Sequence, residues 1–526
     1  MDAHISRGME RSRVVLAVVA VAALTLPAAG PAHAAPGDTI PGGALPVAAA
    51  DITTADGDLA ATAREVVVSV ASARGPRIHK LRARSQAEAE ALAASLDARE
   101  GVTAELNATV RLAVAPRATD PAKPDARIST PTAPGSGRVG TTTVALDSEA
   151  LGSEEWGMYA VGAEAAWRYT RGAGVTVAVV DSGVDTSHPD LVARSLPAID
   201  LVLDGATGDP NGHGTHVAGI IAASLDGRGV AGLANSARIL PVRVMSPDGT
   251  GDVATVAAGI VAATDAGARV INLSLGTETP SQVLADAVAH AVGAGVTVVA
   301  AAGNDFLTGN NPNYPAALPD VLAVSSLSTT GASSAFANTG SYVDLTAPGE
   351  QILSTWPGGN WAYEDGTSMA APFVSAAAAL VRAANPHFSR ARVDYALTSR
   401  AQDDGSGNGR DATFGYGLLR ADRSTAYAAT SPYGVRAPAV QVTLRAVRSR
   451  SRLYVNLDPN RGSDWWTFRV QKRRSNGTWA TLATVYRTYG SGETRTLNLS
   501  KGRYRVVVPA QDGYRSATSP SVTLTR

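Results

Sequence analysis

The stretch "DGTSMAAPFVSAAAALV", Asp365–Val381, sets small apolar residues in a run of about four helical turns. Ser368 sits at its mouth, and the plain reading makes it an N-cap, since hydroxyls there accept orphan amides. Pro372 comes early in the run, where a missing N–H costs little because the first amides of a helix lack internal partners. A serine at a buried helix start has a second use, as a nucleophile beside unpaired backbone N–H groups. The neighbouring strand ends decide between the two.

From about Glu154 to about Thr430, valine-rich strands such as "VTVAVV", "RVINLSLG" and "VTVVAAAGN" alternate with alanine-rich helices of about a dozen residues. That texture predicts an α/β domain, a parallel sheet covered by helices on both faces. In such sheets chemistry gathers at the carboxyl ends of the strands. Asp181 ends "VTVAVV", His213 opens "HGTHVAGIIAAS", and Asn304 closes "VTVVAAAGN". Each has a plainer explanation when taken alone. "DSG" is half of an aspartic protease site, but no second D-[ST]-G occurs. The His213 and His216 pair lacks the glutamate and spacing of a zinc helix, and His216 reads as a packed structural residue. Asn304 after glycine suits a turn. Together the four supply acyl transfer: a hydroxyl, a base to deprotonate it, a buried carboxylate to orient that base, and donors for an oxyanion.

"VVDSGVD", "HGTHVAG", "SLG", "AAAGN" and "GTSMAAP", in that order, resemble the subtilisin family of serine endopeptidases. The resemblance spans about Glu154 to Ala429. It implies a catalytic Asp181, His213 and Ser368, with Asn304 in the oxyanion hole. It also implies that Ser274, Leu275 and Gly276 pair with extended substrate, while Ala301, Ala302 and Gly303 wall the pocket before the cut. Asn313, ahead of Tyr314-Pro315, stands where many relatives carry a small residue, which argues against a large aromatic preference. Glu364 and Asp365 read as negative charge beside the site, favouring basic substrates, or as an exposed acidic loop. "SHPDL" and "SLDGRGVAGLA" resemble the family's strong calcium site, with Asp190 and Asp226 supplying carboxylates and loop carbonyls the rest. The chemistry itself requires no cofactor; the calcium would be structural.

Arg7, Arg11 and Arg13, the 13-residue apolar run Val14–Leu26 and the small-x-small motif Ala32–Ala34 predict a secretory signal cleaved after Ala34. No later segment is long and apolar enough to span a bilayer, so export and an extracellular, monomeric protein are expected. Residues 35–114 then form a strand–helix–strand unit, with "SQAEAEALAASLDARE" as its helix and Ser85 and Glu88 in capping-box spacing. "VTAELNATVRLAV" alternates as one half-buried strand. The unit resembles the inhibitory propeptides of the family, which block the cleft of their own enzyme. Residues 115–153, rich in Pro, Gly and small polar groups, read as the linker where self-cleavage occurs.

The chain has no cysteine, so an exported protein must rely on core size or bound metal. Its net charge of zero hides a division. Residues 145–435 hold 14 basic and 28 acidic side chains, whereas residues 436–526 hold 17 and 4. The last segment reads as a small all-β module of alternating strands, with Asn476-Gly477 as a hairpin signal. Its charge fits docking to an anionic cell-surface polymer, and Trp465, Trp466 and Trp479 could stack on sugar rings. The competing functions are a binding protein on an inactive protease scaffold and an adhesin built around the basic module. Protein or peptide substrates remain the leading expectation.

Overall fold

The computed structural model describes residues 64–73, 75–115, 128–129, 146–403, 409–431, 441–447, 452–458, 467–487, 494–509 and 517–524. The proposed signal, most of the linker, Trp465 and Trp466 lie outside the described residues.

The first unit holds β1 (Glu65–Val70), β2 (Arg77–Arg82), α1 (Gln86–Asp97), β3 (Val102–Leu106) and β4 (Thr109–Leu112). Strand β1 is central, antiparallel to both β2 and β3. Ser85 caps α1 as its spacing predicted, accepting from the Glu88 amide at 3.2 Å. The single strand expected over residues 102–114 is broken at Asn107-Ala108. Asn107 donates to Glu65 Oε2 at 3.0 Å, and its carbonyl oxygen takes the Ala254 amide at 3.3 Å. These contacts turn the chain out of its own sheet and into the larger domain. The two residues of β5 (Ile128–Ser129) pair with Asn360 and Trp361.

The larger domain is built on a seven-stranded sheet, all parallel, ordered β14-β13-β12-β10-β6-β8-β7. Its strands are β6 (Thr176–Asp181), β7 (Ile199–Asp200), β8 (Arg238–Arg243), β10 (Val270–Leu273), β12 (Thr297–Ala301), β13 (Val321–Leu327) and β14 (Val343–Pro348). Two short helices, α2 (Trp156–Val161) and α3 (Ala163–Trp167), precede β6. Alternate residues of each strand serve different cores. Val177 and Val179 join the core of α4 (His213–Ala222) and α7 (Thr367–Ala384). Ala178 and Val180 join that of α5 (Val253–Asp265) and α6 (Gln282–Gly293). Both faces being dry explains why the strands read as continuous apolar runs. Strand order reverses between β6 and β10, which places a crevice at their carboxyl ends. Short strands β9 (Thr250–Asp252) and β11 (Leu275–Gly276) rim it, and a hairpin of β15 (Ile352–Trp356) and β16 (Asn360–Glu364) flanks it. Helices α8 (Arg390–Thr398) and α9 (Ala421–Thr430) close the domain. Among the described residues only α7 is long and apolar enough to cross a membrane, and it is buried in the core.

Pro372 lies one turn further into α7 than its reading at the helix start implied, because the helix begins at Thr367. Its missing N–H leaves the Ser368 carbonyl unpaired within the helix, and the Ser274 hydroxyl fills that place at 2.8 Å.

The C-terminal module is two packed antiparallel sheets. One holds β17 (Gln441–Val447), β18 (Arg452–Asp458) and β21 (Thr494–Asn498). The other holds β19 (Thr467–Arg473), β20 (Trp479–Arg487), β22 (Gly502–Val508), β23 (Ala517–Thr518) and β24 (Val522–Leu524). Leu453, Val455 and Leu457 face Phe468, Val470, Tyr504 and Val506 across its core. The hairpin expected at Asn476-Gly477 is present between β19 and β20, with Gly477 at φ +84°.

Candidate active site

Four segments converge on the crevice. Asp181, the last residue of β6, is fully buried, and His213, the first of α4, is nearly so. The His213 ring meets Asp181 Oδ1 through Nδ1 at 2.7 Å, and the same oxygen takes the Ser182 amide at 2.7 Å. His213 Nε2 has no hydrogen-bond partner among the described residues. Burial pulls the imidazole toward its neutral form, but contact with Asp181 and the charges of Asp209 and Glu364 outweigh it. Its pKa therefore sits above the ordinary value. Such a ring, neutral above that pKa and stabilised by a carboxylate when charged, can accept a hydroxyl proton.

Ser368 is the second residue of α7 and fully buried, with Gly366 rather than itself in the capping position. Its hydroxyl donates to the Ser274 carbonyl at 2.9 Å. Beneath it runs a buried polar chain: Ser375 donates to Asn272 Oδ1 at 2.7 Å, and Asn272 donates to Ser274 Oγ at 2.9 Å. Asn304, three residues past β12, accepts the Thr367 amide at 3.0 Å. That bond aims its Nδ2 into the crevice.

The crevice holds the chain's own segment from β4 onward. Leu112 pairs with Leu275 and Arg111 with Gly276, in antiparallel register, while β9 pairs with β4 on the other side. The Ala113 amide donates to Ser274 O at 3.2 Å. The Ala113 carbonyl oxygen accepts from the Ser368 amide at 3.3 Å and from Asn304 Nδ2. Two residues on, the Ala115 amide reaches Asp365 O at 3.0 Å. Gly366 allows this approach, because a Cβ there would lie 2.7 Å from Ala113 O.

The two segments expected to wall the pocket, Ser274–Gly276 and Ala302–Gly303, both approach Asn313. Asn313 is buried between them and donates to Ala301 O at 3.0 Å. A Cβ on Gly276 would come within 2.2 Å of its amide group, and one on Gly303 within 3.1 Å of its Cβ. Glu364 and Asp365 are not an exposed acidic loop. Glu364 is buried, and the Asp365 carboxylate takes the Gln351 amide at 2.5 Å. His216 is structural, with Nε2 3.0 Å from both Ile352 O and Ala362 O, and burial pushes its pKa down to about 3.

Asp209 escaped the sequence reading. It is buried and accepts from Ser182 Oγ at 2.8 Å, the Gly212 amide at 2.8 Å and the Thr215 amide at 2.7 Å. It thereby ties the Asp181 loop to the helix start bearing His213. An acid four residues ahead of that helix was the available signal.

The calcium reading can be tested on the carboxylates. Asp190 is fully buried; its Oδ2 takes Val230 N and Trp361 Nε1, but its Oδ1 has no partner among the described residues. Glu149, not anticipated from sequence, takes Gly227 N through Oε1 and likewise leaves a buried Oε2 without a partner. Burial above all raises their pKa values to about 6 and about 7, and the charge of Asp226, exposed on the loop, contributes to both. Orphaned, mutually repelling carboxylate oxygens fit a hard cation. Among the described residues no three acidic or histidine side chains form a metal-binding group, so loop carbonyls would complete the shell.

The Subtilase family model matches residues 172–417. Subtilisin BL of Lederbergia lenta is 41% identical over 274 residues, covering 52% of this chain and 99% of that protein. Thermitase of Thermoactinomyces vulgaris is 44% identical over 232 residues, 44% of this chain and 82% of its own length. The Minor extracellular protease Epr of Bacillus subtilis (strain 168) is 35% identical over 305 residues, 58% of this chain and 46% of its own. With this similarity laid over the Asp181–His213 pair and over Ser368 at the start of α7, the chain belongs to the Subtilase family and is a subtilisin-like serine endopeptidase.

Proposed function

We propose that the protein is a secreted zymogen that frees itself by cutting its Ala113–Val114 bond. One observation carries this reading: the Ala113 carbonyl oxygen rests on the Ser368 amide and Asn304 Nδ2, with backbone pairing on either side. The bond lies just upstream of the linker in which cleavage was expected from composition. Residues 65–112 then act as an inhibitor, anchored through β4.

In this mechanism the Ser368 hydroxyl turns from Ser274 O toward His213 Nε2, which is unpaired. Nε2 takes the proton as Oγ attacks the Ala113 carbonyl carbon, and Asp181 stabilises the imidazolium. The Ser368 amide and Asn304 Nδ2 hold the oxyanion. His213 returns the proton to the departing Val114 amine, leaving an acyl-enzyme that water hydrolyses. Asn313, lying across the pocket, restricts the residue before the cut to small side chains such as alanine. Glu149 and Asp190, with carbonyls of the adjoining loop, would hold a structural calcium ion, and Asp226 would add only negative charge nearby. Bound there, it supplies counter-charge to the fold and takes no part in the chemistry.

N-terminal sequencing of the mature product tests the reading, with Val114 expected at its start before any trimming. Ser368→Ala should lower kcat by about 10⁶-fold, the scale known for a subtilisin serine, and accumulate as uncut precursor. Normal processing of that variant in a protease-free host would refute self-cleavage.

A further inference from the structure

Among the described residues, the outer face of the five-stranded C-terminal sheet carries charge that no acidic side chain compensates. Phe468 and Val470 of β19 and Tyr504 and Val506 of β22 point inward. The alternate residues Arg469, Gln471 and Arg473, and Arg503 and Arg505, therefore share the opposite face. Gln471 stands opposite Arg505, and continuing that register sets Arg473 opposite Arg503, with Trp479 flanking Arg473 on β20. Like charges directly across a ladder cost stability, so this pairing is not explained by folding.

Their hydrogen bonds go to neutral groups. Arg505 Nε donates to Gln471 Oε1 at 2.7 Å, Arg503 Nε to Ser521 Oγ at 2.7 Å, and Arg473 Nε to Gly477 O at 3.4 Å. Each guanidinium has further N–H donors in a planar fork that matches a carboxylate. Of the module's four acids only Asp458 lies among the described residues, at the end of β18 in the other sheet. The Arg505 guanidinium also lies 4.5 Å from the Trp479 ring centroid, which holds that cation flat along the face.

We propose that this face binds an acidic polysaccharide, with uronate carboxylates on Arg473, Arg503 and Arg505 and sugar hydroxyls on Gln471. The amide and hydroxyl groups interspersed among the cations suit a hydroxyl-rich polymer. Among the described residues the module exposes no large apolar side chain, so nothing on it inserts into a lipid surface. The one described aromatic ring on the face is already covered by Arg505, which leaves no stacking platform for successive bases. The catalytic domain's surplus of acids, 28 against 14 basic residues, directs a polyanion to this module rather than to the protease.

The test uses the full chain carrying Ser368→Ala, which prevents self-digestion, on immobilised polygalacturonate. Retention is expected at low ionic strength and should fall steeply as salt screens the charges. The fully methyl-esterified polymer, which lacks the carboxylates, should not retain the protein. Arg473→Gln with Arg503→Gln should weaken binding on the order of tenfold or more, at a thermal midpoint no lower than that of the unsubstituted protein. The single exposed change Arg469→Gln, which leaves the Trp479–Arg505 contact alone, should weaken it measurably as well. The proposal is overturned by absence of retention at low salt, by equal retention of these variants, or by equal retention on the esterified polymer. Tighter binding to duplex DNA or phosphatidylserine vesicles at the same salt would also overturn it, assigning the face to those partners.

Discussion

His213 draws on three carboxylates. Asp181 touches it, while Asp209 and Glu364 act through charge, and together they hold the imidazole above its ordinary pKa against the pull of burial. The base works only when neutral, so activity must rise with pH through that raised value. Removing one negative charge lowers it. Glu364→Gln should therefore move the acid limb of kcat/KM to lower pH, and an unmoved limb would show that Glu364 has no hold on the ring. In the proposed mechanism Asn313 sets a different property, the size of the residue before the cut. Its amide lies between Gly276 and Gly303, filling space that a long side chain would need. A poor fit in a pocket costs about 1–3 kcal/mol, or roughly 10–200-fold. On peptides ending Val-Arg-Leu-X before the cut, Asn313→Ala should raise kcat/KM for X = Phe about tenfold or more relative to X = Ala. An unchanged Phe/Ala ratio, with activity intact, would place the restriction elsewhere.

Helix termini organise the contact between the N-terminal unit and the larger domain. Glu105 accepts the Gln282 amide at 2.9 Å and the Val283 amide at 3.3 Å, and also bonds Ser281 Oγ, so it caps α6 across the interface. Asn107 does the same for α5, whose own cap Asp252 is reached by Lys80 at 2.8 Å. A carboxylate at a helix N-terminus meets both orphan amides and the positive end of the dipole. Losing one such cap costs about 1 kcal/mol or somewhat more. Glu105→Ala should accordingly shorten the lag before activity appears in freshly folded precursor. A lag as long as the wild type's would mean that β4 alone sets the release rate.

Without cysteines the whole molecule relies on its core and on charge balance. Glu149 and Asp190 have pKa values raised by burial from 4.5 and 3.8 to about 7 and about 6. In the folded chain they hold protons that the unfolded chain would release. The stability they contribute is present in acid and lost as pH rises through that window. A cation at this place reverses the penalty, since it binds the folded form alone. In chelator the thermal midpoint of the mature enzyme should fall between about pH 5 and about pH 8. Millimolar calcium should restore it at the upper end and do little at the lower. Glu149→Gln with Asp190→Asn should shrink the response; equal midpoints with and without calcium at high pH would remove the ion from the fold.

Much of this was legible in the chain itself. Apolar runs buried on both faces announce a parallel sheet because period and burial are local consequences of composition, and Asp181, His213, Asn304 and Ser368 stand at element ends that local patterns mark. The tertiary structure decided whatever depends on residues far apart. Val102–Val114 alternates like one strand, yet Asn107 divides it because its partners, Glu65 and Ala254, lie 42 and 147 positions away. Asp209 and Glu149 have no motif of their own and gain meaning only from the amides brought to them. The placement of Ala113 in the crevice required the whole domain, since Ser274, Asn304 and Ser368 come from three separate segments. Strand and helix are written in neighbouring residues, whereas a site is written in distances that only the folded chain supplies.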